Sequence, residues 1–139
     1  MKKLLLLVAL VFSINATQAQ RGYTGDKTYA SRFGSVYTQN SNSDITVTNS
    51  TGQDIILVWK TAYGKYINHA YIRTNQKYTF TKLPVGNMKY FFKSSTSFYK
   101  DDDYVSVERN YGYTLKLFMS SGYSLNGPKS SNSSEFFSN

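Results

Sequence analysis

Asp54-Ile55-Ile56-Leu57-Val58-Trp59-Lys60 is the run that decides the fold. Ile55, Leu57 and Trp59 fall on one face of an extended chain and Ile56 and Val58 on the other, which predicts a central strand covered on both sides. Outward from it the period stays at two. Upstream, Ile45 to Asn49 places Ile45 and Val47 inward with Thr46 and Thr48 outward, and Asn49-Ser50-Thr51-Gly52 supplies turn chemistry. Downstream come Tyr66 to Arg73 after a turn at Gly64, then Lys77 to Lys82 with Tyr78 and Phe80 on one face. Leu83-Pro84-Val85-Gly86 reads as a tight turn, since Pro fixes φ and Gly admits the left-handed position. Met88, Tyr90 and Phe92 form the apolar face of the next strand, followed by Tyr104 to Arg109 and Tyr113 to Met119. No stretch has the period of an amphipathic helix. Seven short strands at about ten-residue spacing predict an all-β fold, an antiparallel seven-stranded β-sandwich over residues 44–125. A small open β-barrel is the alternative.

The flanks read differently. Residues 1–19 carry Lys2 and Lys3, an apolar run from Leu4 to Phe12, and Thr17-Gln18-Ala19 ahead of Gln20, the pattern of a secretory signal peptide. Residues 20–43 are rich in Gly, Ser, Thr, Asn and Tyr and are expected to form a mobile N-terminal arm, part of which docks through Tyr23, Tyr29, Phe33, Val36 or Tyr37. Residues 126–139 read as a Ser/Asn-rich tail, loose until Phe136 and Phe137. Removing the signal takes Lys2 and Lys3 with it, so the formal charge falls from +8 to +6. That charge favours anionic partners and also simply keeps a small domain soluble.

The chain has no cysteine. Disulfides, thiolate metal sites, a thiol nucleophile and a lipoprotein anchor are therefore all excluded. No second apolar stretch approaches the ~18 residues of a membrane span. The expected location is periplasmic or secreted.

Tyr78-Thr79-Phe80-Thr81-Lys82-Leu83-Pro84-Val85-Gly86, leading into Met88-Lys89-Tyr90-Phe91-Phe92, resembles the central hairpin of transthyretin-like, or carboxypeptidase-regulatory-like, β-sandwich domains. In that group an aromatic strand enters a Leu-Pro-x-Gly turn and leaves as an aromatic-alternating strand. The usual Gly/Asp-rich hairpin before it is here only Arg73-Thr74-Asn75-Gln76. The signal and the Tyr/Asn/Lys/Ser-rich domain also resemble exported proteins of Bacteroidetes. The resemblance implies a prealbumin-like sandwich serving as a non-catalytic accessory or adhesion module, with no site residues to carry over.

Candidate chemistry is sparse. His69, the only histidine, lies in a strand beside Ala70 and Tyr71 with no acidic neighbour, so a surface or half-buried structural histidine is expected rather than a general base. Asp101-Asp102-Asp103 is the one acidic cluster and a weak candidate for a metal site. It lacks the alternate-residue spacing and later bidentate Glu of a calcium loop, so a solvated loop is expected and no cofactor is assigned. Thirteen tyrosines offer rigid area with polar tips. Tyr63, Tyr66, Phe98, Tyr99, Tyr111 and Tyr123 are the candidates for exposed ligand-binding aromatics. Trp59 is expected in the core. Lysines interleave with aromatics at Lys89 to Lys93 and at Lys77-Tyr78, but they are spread over nearly every strand, which argues against nucleic acid as a partner. Ile45 to Asn49, with Thr outward, is a candidate exposed edge for strand association. The functional expectation is a non-enzymatic interaction module binding a cell-envelope protein. A carbohydrate-binding module is the first alternative, and a hydrolase or enzyme inhibitor the second.

Overall fold

The computed structural model describes residues 21–119 and 128–139, so the signal-peptide reading of residues 1–19 and the candidate Tyr123 lie outside the described residues. Among the described residues nine strands form: β1 Asp44–Ser50, β2 Ile55–Thr61, β3 Tyr66–Ile72, β4 Lys77–Phe80, β5 Gly86–Ser94, β6 Ser97–Lys100, β7 Val105–Val107, β8 Gly112–Phe118 and β9 Lys129–Ser131. Two short helices, α1 Ala30–Phe33 and α2 Ser133–Phe137, flank them. Strands take 46% of the described residues and helices 8%, in two sheets that do not close into a barrel. This is the expected all-β sandwich.

The smaller sheet has the order β4-β1-β8 and the larger one β3-β2-β5-β6-β9, with β7 also on β5. One pairing departs from the antiparallel expectation: β1 runs parallel to β8, from Asp44 opposite Gly112 to Ser50 opposite Phe118. The chain reaches β8 from the other sheet, through β7, so the two strands are not joined by a hairpin and are free of its antiparallel constraint. The same pairing corrects the edge assignment. β1 lies between β4 and β8 and is bonded on both sides.

The core follows the alternation. Ile45 and Val47 of β1, Phe80 of β4 and Leu117 of β8 face Ile55, Leu57 and Trp59 of β2 and Met88 and Phe92 of β5, all buried. Trp59 is fully buried, its ring edge-on to Phe80 at 6.2 Å and to Tyr90 at 5.5 Å. Each such side chain contributes about 1.5–3 kcal/mol by leaving water.

β2 is covered on both faces as its sequence requires, but the outer cover comes from the two ends of the chain. Phe33 of α1 and Phe136 of α2 are buried with Ile56, Val58 and Tyr66 in a second apolar cluster on the outer face of the larger sheet. Phe33 lies 5.6 Å from Phe136 and 5.4 Å from Phe137 between ring centroids. The segment expected as a mobile arm therefore runs along the edge of β3. Gly25 N–H donates to Tyr71 O (2.8 Å), Tyr71 N–H to Asp26 O (2.9 Å) and Tyr37 N–H to Ile67 O (2.8 Å). The tail is ordered earlier than its composition suggests, with β9 on β6 and Asn132 capping α2 by accepting from Glu135 N–H at 2.9 Å.

Candidate functional site

At one end of the sandwich four stretches converge: the β2–β3 turn, the β4–β5 turn, residues 37–43, and the β7–β8 turn. The β2–β3 turn holds Tyr63 at its tip, and Gly64, at φ +89°, supplies the left-handed residue that reverses the chain there. Leu83-Pro84-Val85-Gly86 carries the chain from one sheet to the other and is not the tight hairpin turn expected from sequence, since β4 pairs with β1 and β5 with β2; Leu83 anchors it by being buried. Residues 37–43 tie these turns together. Gln39 N–H donates to Lys82 O (3.0 Å), its side-chain oxygen accepts from Val85 N–H (3.1 Å), and its amide donates to Tyr37 OH (2.9 Å). Ser41 donates to Leu83 O (2.5 Å), and Ala62 N–H donates to Asn87 O (3.0 Å). The β7–β8 turn joins the same rim, as Asn110 N–H donates to Ser41 O at 2.8 Å and Arg109 to Asn40 O at 3.1 Å.

Between the turns lies a cleft of about 460 Å³ lined by Tyr37, Gln39, Tyr63, Lys65, Val85 and Asn87 among others. Tyr63 is 99% exposed, so its ring stands in water with no contact to hold it. Lys65 places its ammonium 4.8 Å from the Tyr37 ring centroid. The set combines aromatic and aliphatic surface with amides and one cation. It can hold a ligand by stacking and hydrogen bonding, and it presents no nucleophile beside a base.

The sequence candidates do not assemble into one surface. Tyr63 lines the cleft, and Tyr111, 57% exposed, sits at the same end with its ring 5.8 Å from Tyr113. Tyr66 is buried, contrary to its expected exposure, because a register shift at Trp59/Lys60 turns it onto the outer face under Phe33. Phe98 packs on Phe136, and Tyr99 stacks on Phe92 at 4.9 Å. Tyr37, Gln39, Lys65 and Val85 were not singled out as binding residues. Val85 had a signal, as the apolar residue at the tip of a Pro-x-Gly turn, whereas Tyr37 and Gln39 lay in the segment read as an arm.

His69 is buried more deeply than expected and pairs through Nδ1 with Tyr66 OH at 2.7 Å, not with a carboxylate. Burial, then the nearby Lys27 charge, pushes its pKa down, and its Nε2 has no hydrogen-bond partner among the described residues. Lys27, whose own pKa burial lowers, donates to Asn68 Oδ1 (2.7 Å) and His69 O (2.5 Å). The three aspartates sit where β6 gives way to β7. Between the pairs Phe91–Lys100 and Met88–Val105, β5 has two residues and the partner strand four, Asp101 to Tyr104, so the acidic run is a bulge. Asp101 accepts from Tyr90 OH at 2.7 Å, and Asp102 pairs with Lys129. Among the described residues no group of three or more His, Asp or Glu is placed to hold a metal.

No protein-family model matches this chain, and no curated protein matches it.

Proposed function

We propose that this protein is an exported, non-catalytic interaction module of the cell envelope or exterior, and that its end cleft receives a loop or side chain of a protein partner. The observation that carries the reading is Tyr63, a large aromatic ring held fully in water at the lip of a cleft with amide and ammonium groups around it. Aromatic residues so presented are the usual anchors of protein interfaces. Export rests on the residue pattern at 1–19. Among the described residues no helix is long and apolar enough to cross a membrane. A glycan platform of tyrosines is less well supported, since Tyr66 is buried and Tyr99 is stacked on Phe92 rather than aligned with Tyr63. The binding reading is also favoured over hydrolysis by the pairing of His69 with Tyr66.

The test is site-specific photocrosslinking in cells, with the reactive residue at Tyr63 and, as a control, at Gln53 near the opposite end. A discrete adduct from position 63 alone is expected. Adducts of the same size from both positions, or none from either, would overturn the reading.

A further inference from the structure

The outward face of the smaller sheet is covered by no other element among the described residues, and its side chains form ordered rows. Register places Thr79, Thr46 and Thr114 in one row across β4, β1 and β8, with the Thr46 and Thr79 hydroxyls 2.8 Å apart. The next row is Lys77, Thr48 and Lys116, and the one beyond it brings Ser50 beside Phe118. Lys77, Thr79, Thr114, Lys116 and Phe118 are exposed. The only acid on the face, Asp44, lies at the far end beside Gly112, so positive charge is concentrated toward the Phe118 end.

We propose that this face binds an acidic polysaccharide, independently of the end cleft. Two strand spacings separate Lys77 from Lys116, about 10 Å, with the Thr48 hydroxyl between them. A sugar carboxylate or sulfate that crosses this row meets a lysine on either flank, with the Thr48 position between them, and that is charge complementarity. The flanking threonine hydroxyls donate to and accept from ring hydroxyls along the same chain. In the next row Phe118 is 54% exposed with Lys116 Nζ 5.0 Å from its ring centroid, so cation and aromatic ring together present one charged, partly apolar edge to the same polymer. A sugar polymer fits better than a lipid surface because Phe118 is the only apolar residue among these rows, and threonine rows gain nothing from hydrocarbon.

Titration calorimetry with polygalacturonate, against neutral dextran, tests it. Binding to polygalacturonate alone is expected, weakened about tenfold in K77Q/K116Q and progressively by salt. T48V should weaken it by a smaller factor, and Y63A should leave it unchanged. K89Q/K93Q removes the same charge from the opposite side of the molecule and serves as the control. Equal weakening by both lysine pairs, equal binding of dextran, or abolition by Y63A would overturn the proposal. So would the absence of polygalacturonate binding, including the case where vesicles of anionic phospholipid bind instead.

Discussion

Lys60 is the residue on which the outer layer turns. Its side chain is fully buried, and its Nζ donates to Glu135 O (2.6 Å), Ser138 O (2.6 Å) and Ser138 Oγ (3.0 Å), tying β2 to the end of the tail helix. Burial pulls its pKa down to about 8, against a partial counter-effect from Glu135. Between about 8 and its unfolded value of 10.5 the unfolded chain holds a proton that the folded chain has released, so stability rises with pH across that window. Tyr66 acts oppositely: burial pushes its pKa up to about 12, so stability falls above pH 10 as the unfolded tyrosine ionises first. Urea midpoints measured from pH 7 to 11 should therefore climb and then drop. K60M should remove the climb, since the group that titrates across the window is gone. Asp54 works at the acid end, where the Arg21 guanidinium, Tyr71 OH and Thr74 N–H hold its carboxyl well below the usual range. Its contribution is present above about pH 3.8 and lost below it. D54N should give a shallower acid-unfolding limb by circular dichroism.

At the scale of elements, the two terminal segments fold as a pair. F33A and F136A each remove a buried ring and should cost about 3–5 kcal/mol. Because the rings touch, the double variant should cost less than the sum, with a coupling of about 0.5–3 kcal/mol in denaturant titrations. This pairing also marks the limit of what the sequence reveals. Period-two alternation was enough for β1 to β5 and β8, where every second residue faces the core. It was silent on β9 and α2, whose Lys-Ser-Ser and Ser-Ser-Glu-Phe-Phe have neither period, being held by Phe136 and by pairing with β6. Tyr63 and Val85 were legible as turn residues. Tyr37 and Gln39 were not, because what places them is a set of backbone bonds to Ile67 and Lys82, distant in sequence. The parallel partnership of β1 and β8 leaves no local trace at all.

For the whole molecule, α1 and α2 lie over the larger sheet, and among the described residues nothing covers the outward face of the smaller one. A variant truncated before Asn132 should keep the inner core, read by the near-ultraviolet signal of Trp59, while binding hydrophobic dye through the uncovered Val58 and Phe91. Loss of the Trp59 signal as well would mean that the outer layer is needed for the inner one. β3, whose outer edge is bonded to Gly25 and Asp26, should exchange amide hydrogens more slowly than β8, whose outer edge pairs with no strand among the described residues.

Lys60 also sets an order of events. A chain that emerges from its N-terminus can build β1 to β5 before residues 132–138 exist, so the ammonium of Lys60 and the apolar side of Val58 wait for them. Until then the outer face of β2 has Phe33 but not Phe136 to cover it, and the carbonyls that hold Lys60 come only with α2.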